Sequence, residues 1–432
     1  MTYKRNKVLA RILSFWIPIK NYRKKVRERI LHYLNLLEAQ KSQKRNSLLL
    51  NKVRNKIKNN QKINATFLVM YDSVFPAQKI FEDLLNDAMF SVSLLVVPDV
   101  SRGHDNMLLQ MKKTFKFYSE KFPNVYLSYD MNNSCFIENI LAENDIVFAC
   151  SPYDDMTHLF YQINTLKNTN LVIYFDYGPI VSNWYIMQTS NHLILHHIYK
   201  YYTYYASSFS RQFKNSIVCG CLKMDSLANI KKYHYEKKRI IIAPHHTIDI
   251  CSDITFSNFL AYHDFFLSLP EKYPQIEWIF RPHPLLFINL KKYNIWSEEK
   301  IQQYLDKFKS YKNVIYQNGG DFFEVFVNSD GLIHDCGSFM VEYLYTNHPV
   351  CYLLKDKERN RDNFNEFASQ CIDVHYKAYN KNDIINFIEK VILEEEDTLE
   401  EKRKKFFNQN IKHDYPNTSQ KIIFELKREM TE

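Results

Sequence analysis

Only seven glycines occur in 432 residues, and none forms a Gly-x-Gly-x-x-Gly or Walker pattern. The phosphate-cradling loops of dinucleotide-dependent dehydrogenases and P-loop kinases are therefore excluded. Acidic residues are nearly missing from the N-terminus, where residues 1–60 hold 17 Lys and Arg against Glu28 and Glu38 alone. The remaining 372 residues carry 40 basic and 46 acidic side chains, so the net charge of +9 belongs to a leader and not to a nucleic-acid-binding body. No apolar run reaches the roughly 18 residues that span a bilayer. The short run from Ile12 to Ile19 contains Pro18 and leads into more basic residues, which is not the pattern of a cleaved secretory signal.

Metal-ligand spacing is also lacking. Cys219 and Cys221 stand one residue apart with no second pair behind them. With Cys135, Cys150, Cys251, Cys336, Cys351 and Cys371, they read as small core residues of a reducing compartment. No Asp-x-Asp is present to hold a divalent cation. No metal and no resident cofactor is expected.

What is there is a basic helical leader followed by a globular α/β body. In residues 1–62, Val8, Leu9, Ile12, Leu13, Phe15 and Trp16 gather on one side of a helical pattern and Lys4, Arg5, Lys7 and Arg11 on the other. That arrangement suits an anionic membrane surface. A hairpin packed on the body is the plainer reading. From residue 63, short apolar runs such as Thr66–Tyr71, Val92–Val97 and Leu171–Phe175 alternate with helical stretches, the signature of parallel α/β units. A polar connector at 226–238 precedes a second alternating set that opens at Arg239–Ala243. Two Rossmann-like domains, 63–225 and 226–432, facing across a cleft in the GT-B manner, are the expected architecture, with ligands at the carboxyl ends of the strands.

Three motifs end strands of the second half. His334-Asp335-Cys336-Gly337-Ser338 leads toward Glu342, and a helix opening there would offer backbone N–H groups of Gly337 and Ser338 to a phosphate. Asp335 or Ser338 is equally an ordinary helix cap. Glu342, one turn on, is placed to accept ribose hydroxyls or simply to face solvent. Ala243-Pro244-His245-His246 and Arg281-Pro282-His283-Pro284 add an arginine and three imidazoles, which can stabilise a leaving diphosphate without metal.

In this order, Gly220-Cys221-Leu222-Lys223-Met224-Asp225, Ala243-Pro244-His245-His246, Arg281-Pro282-His283-Pro284, Asp335-Cys336-Gly337-Ser338 and His348-Pro349-Val350 resemble the CDP-glycerol glycerophosphotransferase family of teichoic-acid and capsule polymerases. The resemblance spans roughly residues 170–355. It implies a catalytic or phosphate-binding His283 and a donor site that includes Asp335 and Ser338; the residue types themselves add His245 as a second catalytic candidate and Arg281 and His246 as phosphate-binding ones. Where that family carries Trp-His-Gly, this chain has Asp176-Tyr177-Gly178, which makes Asp176 the nearest candidate acceptor base. The resemblance implies transfer of glycerol phosphate or a related group from a CDP-activated donor to a lipid-linked or polymer acceptor. The expected place is the cytoplasmic face of the membrane. An inverting nucleotide-sugar transferase on the same scaffold, and a non-catalytic nucleotide-binding partner in capsule assembly, are the alternatives.

Overall fold

The computed structural model describes residues 2–72, 75–151, 154–182, 195–205, 211, 213–248, 256–320, 322–355 and 364–432, with the backbone alone for residues 2–4, 32, 35 and 36. The chain forms two compact units. Unit 1 comprises residues 1–177, 189–218 and 419–432; unit 2 comprises 178–188 and 219–418.

Unit 1 is a seven-stranded parallel sheet in the order β3-β2-β1-β6-β7-β8-β9. Its strands are β1 (Ile63–Val69), β2 (Phe90–Val96), β3 (Val125–Leu127), β6 (Ile146–Ala149), β7 (Leu171–Phe175), β8 (Lys200–Thr203) and β9 (Ser216–Val218); a two-stranded hairpin of β4 (Tyr129–Asp130) and β5 (Cys135–Phe136) stands apart. β7 is buried along its whole length, as a parallel strand covered on both faces must be. Across the sheet the Phe67 and Phe148 rings stack at 4.2 Å, and Phe81 of α3 (Gln78–Leu85) meets Phe67 edge-on at 5.4 Å. Lys200-Tyr-Tyr-Thr lacks the apolar run that marks the other strands, and only its pairing with β7 reveals β8.

The leader forms α1 (Thr2–Ser14) and the 39-residue α2 (Lys20–Lys58). The second half of α2 is anchored on unit 1: Ser42 meets His197 Nδ1 at 2.9 Å, Lys56 pairs with Asp145 at 2.8 Å and Arg54 donates to Glu429 O at 2.7 Å. α1 folds back on the first half through the Arg5–Glu38 pair, burying Ala10 and Ser14. Val8, Ile12, Leu13, Phe15 and Trp16 stay exposed, Trp16 by 84%. Residues 1–62 are thus part of unit 1 and not a separate body. The last helix, Thr418–Thr431, was expected with the second domain. From Ser419 onward it belongs instead to unit 1, where Ser419 donates to Asp83, Lys427 pairs with Asp87 and Lys200 with Glu429.

Unit 2 is a six-stranded parallel sheet in the order β12-β11-β10-β13-β14-β15, built from β10 (Lys238–Ala243), β11 (Ile276–Phe280), β12 (Val314–Tyr316), β13 (Gly331–His334), β14 (Val350–Leu353) and β15 (Tyr376–Ala378). In its core the Phe280 and Phe308 rings stack at 4.2 Å, and Tyr304 joins them to Phe259 and Trp296. Gly220 enters the unit where a Cβ would collide with His413 O and the Thr418 hydroxyl, so no side chain fits. Six of the described cysteines are buried as expected. Cys135, on the small hairpin, is exposed, and Cys251 lies outside the described residues.

Candidate functional site

The carboxyl ends of β10 and β11 are tied to each other through the backbone, and that of β13 joins them through the Asp335 carboxylate. Arg281 N–H donates to Ile242 O (2.9 Å), His283 N–H to Pro244 O (3.0 Å) and His245 N–H to Asp335 Oδ1 (2.6 Å). The ends of β10 and β11 thereby carry His245, His246 and His283 into one cluster, and Asp335 at the end of β13 holds it. Their ring centroids are 4.1–5.4 Å apart, and one nitrogen from each lies within 4.8 Å of the others.

Among the described residues, this is the group with the composition of a metal site. The hydrogen bonds argue for another ligand. His283 Nδ1 accepts the Leu285 backbone N–H at 3.1 Å. His246 Nδ1 faces the amide nitrogen of Asn289 at 3.2 Å, whose orientation is fixed by its donation to His246 O. His245 Nδ1 receives the Thr247 backbone N–H at 3.3 Å and lies 2.8 Å from the Thr247 hydroxyl, which itself accepts from Phe256 N–H. With every Nδ1 serving as acceptor, the tautomer assigned by this network puts the proton of each neutral ring on Nε2. A metal bound through Nε2 requires the opposite, an Nδ1–H that donates outward. Three clustered neutral imidazoles with the proton assigned to Nε2 can serve as a hydrogen-bonding cradle for an oxyanion. Burial holds all three rings below their ordinary pKa, His245 well below and His283 at about 3, with His246 adding to the effect on both. The cradle therefore donates hydrogen bonds without carrying charge.

Asp335 positions this cluster. It is fully buried, and its carboxylate accepts from His245 N–H and, at 2.5 Å, from Asn258 N–H. Burial pushes it up to about 6 against the pull of these bonds. Arg281 is 6% exposed and turns toward β12, donating to Gln317 Oε1 at 2.7 Å and to Gly320 O. The helix beyond Ser338 is only Phe339–Glu342, and Ser338 makes no capping bond. A Cβ on Gly337 would stand 3.1 Å from Val181, so glycine admits that close approach. Glu342 is fully buried and ion-paired with Lys223, whose ammonium lies 5.5 Å from the Phe322 ring centre. Thr247, Asn258, Asn289 and Gln317 were not singled out in the sequence. Nothing in their local pattern marks them, apart from Thr247 adjoining the histidine pair.

Asp176 belongs to unit 1, at the end of β7. It is 2% exposed; Oδ1 accepts from the Tyr201 hydroxyl at 2.8 Å, and Oδ2 has no hydrogen-bond partner among the described residues. Burial pushes its pKa up to about 7, only partly opposed by the Thr203 and Tyr201 hydroxyls. A carboxylate at that poise takes or gives a proton near neutral pH.

The family model for CDP-glycerol:poly(glycerophosphate) glycerophosphotransferase matches residues 188–426, more than half of the chain. No curated protein matches the sequence. Among solved structures, the wall teichoic acid polymerase TagF is similar at 14% identity and a TM-score of 0.57, covering 92% of this chain and 97% of that one. The UDP-GlcNAc 2-epimerase of Neisseria meningitidis bound to UDP-GlcNAc is similar at 14% identity and a TM-score of 0.53, covering 85% of this chain and 100% of that one. The corresponding epimerase of Methanocaldococcus jannaschii has 14% identity and a TM-score of 0.52, covering 85% and 100%. At such identity these likenesses establish the fold class, two Rossmann-like units of GT-B type.

Proposed function

Since the chain belongs to the CDP-glycerol:poly(glycerophosphate) glycerophosphotransferase family and is a transferase, we propose that it moves glycerol phosphate, or a closely related group, from a CDP-activated donor to a hydroxyl of a teichoic-acid-like or capsular polymer. The observation that carries this reading is the cradle of three neutral Nε2–H donors at the strand ends of unit 2. Such donors suit the charge that develops on a departing phosphate, and being fixed in advance they need no reorganisation as it develops. With Nδ1 occupied, His283 has no lone pair to offer a substrate and serves as a donor. The acceptor's proton needs another recipient, and Asp176 is poised for it. In the proposed step the acceptor oxygen bonds to the phosphorus that bears glycerol and the bridging P–O bond breaks. CMP leaves with the bonding pair, and the hydroxyl proton passes to Asp176.

A second reading, transfer of a sugar from a nucleotide sugar, is favoured by the replacement of the family's Trp-His-Gly with Asp176-Tyr177-Gly178. The nucleotide product separates the two. Incubation with a donor panel should release CMP from CDP-glycerol. Release of a nucleoside diphosphate from a nucleotide sugar would replace this reading with the second, and binding without turnover would leave a non-catalytic partner.

The leader supports a place on the inner face of the membrane. Among the described residues no helix is long and apolar enough to cross a bilayer. α1 and the turn after it nevertheless expose Ile12, Leu13, Phe15 and Trp16 within a strongly basic segment, and each Lys or Arg near an anionic surface contributes about 1 kcal/mol.

A further inference from the structure

At the carboxyl end of the unit 1 sheet, β1 and β2 deliver Tyr71 and Asp99 to one spot. Asp99 is 2% exposed, and both of its oxygens are engaged. Oδ1 accepts from Ser101 N–H at 2.9 Å and from the Ser101 hydroxyl; Oδ2 accepts from the Tyr71 hydroxyl and lies 3.1 Å from Arg102 Nε. Helix α4 (His104–Ser119) holds both strand ends in place: Gln110 accepts from Asp99 N–H at 3.1 Å and donates to Met70 O, while the Tyr118 hydroxyl donates to Asp72 O at 3.2 Å.

This framework fixes Arg102 by one edge. Its guanidinium is gripped through Nε and lies 5.6 Å from the Tyr71 ring centre, while the side chain remains 57% exposed. Among the described residues neither terminal nitrogen has a partner. An exposed ion pair that served only stability would contribute little. A guanidinium immobilised without using its two terminal donors is instead prepared for bidentate contact with an anion, and the planar fork matches phosphate oxygens.

The position gives the anion a context. β1 and β7 are separated by β6 alone, so at a strand spacing of about 4.8 Å the ends that carry Tyr71 and Asp176 are roughly 10 Å apart. Arg102 follows β2, on the far side of β1 from Asp176. We propose that Arg102 is a specificity-determining residue of unit 1 that binds a phosphodiester of the acceptor, set back along the chain from the hydroxyl that reacts. This rests on the transferase reading and adds to it a subsite in unit 1.

Calorimetry on the full chain tests it with two probes: a synthetic trimer of phosphodiester-linked glycerol, and an uncharged oligosaccharide of similar length. Arg102→Gln should weaken binding of the trimer about 10–100-fold, the loss of one charge-assisted contact. Arg102→Lys should restore part of it. CDP affinity and melting temperature should not change, because the side chain is exposed and remote from the histidine-bearing unit in sequence. Equal trimer affinity in parent and Arg102→Gln, or a parent that binds the oligosaccharide but not the trimer, overturns the inference. Release of CMP from CDP-glycerol reports the transferase reading separately. A parent that releases CMP while Arg102→Gln leaves trimer binding untouched loses this subsite and keeps the activity. A parent that binds the trimer through Arg102 and releases no CMP keeps the phosphodiester site and loses the proposed reaction.

Discussion

Asp335 Oδ1 accepts the backbone N–H of His245 at 2.6 Å, so a carboxylate at the end of β13 sets the position of an imidazole at the end of β10. The same side chain holds Asn258 N–H, at the start of the helix Phe259–Lys272. Asp335→Ala should leave two buried donors unsatisfied, at about 1–3 kcal/mol each. Denaturant unfolding should show that loss, and calorimetry should show weaker binding of CDP. Burial raises this carboxyl to about 6, above its unfolded value near 4. Its contribution to stability is therefore present below pH 4 and lost as pH rises through 6. Asp335→Asn should remove that dependence. Ser338→Ala serves as the companion test of the donor site and should lower CDP affinity with little change in stability. If both alanine variants bind CDP as the parent does, the donor lies elsewhere.

His283→Ala should slow transfer by about 100-fold or more while the chain stays folded, since one preorganised donor is lost. His283→Gln is the sharper experiment. A glutamine amide can place an N–H near the position of Nε2 but cannot act as a base, so partial recovery is expected from a donor role. Transfer assays with melting curves decide it: no recovery with glutamine counts against the donor assignment, and parent-like turnover of the alanine variant removes His283 from the mechanism.

The rate of transfer should fall tenfold per pH unit below about 7, because Asp176 titrates there and its protonated form accepts no proton. Burial keeps His245 and His283 neutral through this range, so they add no limb of their own. Asp176→Asn should lose both the rate and the limb. A pH–rate profile unchanged in that variant would assign the limb to another group.

Trp16→Glu combined with Ile12→Glu should reduce sedimentation with anionic vesicles at least about tenfold, as burial of such side chains is worth about 1.5–3 kcal/mol each. Melting temperature should hold, since both are exposed. Parent binding should also weaken as salt rises from 0.1 to 1 M, where the screening length shrinks from about 10 Å to about 3 Å. Vesicle binding indifferent to both changes would leave the leader a purely structural hairpin. Removing residues 1–60 outright is a poorer experiment, because it strips Arg54 and Lys56 from their partners on unit 1.

The apolar runs of β1, β6, β7, β10, β11, β13 and β14 made the two parallel sheets legible, because a strand buried on both faces has little choice of residue. The three strand-end motifs likewise pointed to one place, since a parallel sheet brings all its carboxyl ends to one edge. What was hidden is the occupancy of individual atoms. Whether His283 donates or accepts depends on the Leu285 amide, and whether Arg281 faces a ligand or a loop depends on Gln317, 36 residues away. Glu342 looked available until Lys223 was found beside it. Polar pairs at long separation leave no periodic trace. The helix Thr418–Thr431 has an ordinary amphipathic pattern, which tells that it packs but not on which sheet.

That helix changes how the protein must be made. The strands of unit 1 leave the ribosome before unit 2, yet the segment that engages Asp83, Asp87 and Lys200 emerges after all of unit 2. Domains usually complete themselves in order of synthesis. Here the earlier unit waits, with the flank that this helix covers open, for as long as the later one takes to be translated. A chain cut short near residue 418 would therefore be marked not by a damaged C-terminal unit but by an N-terminal one exposed to chaperones and proteases.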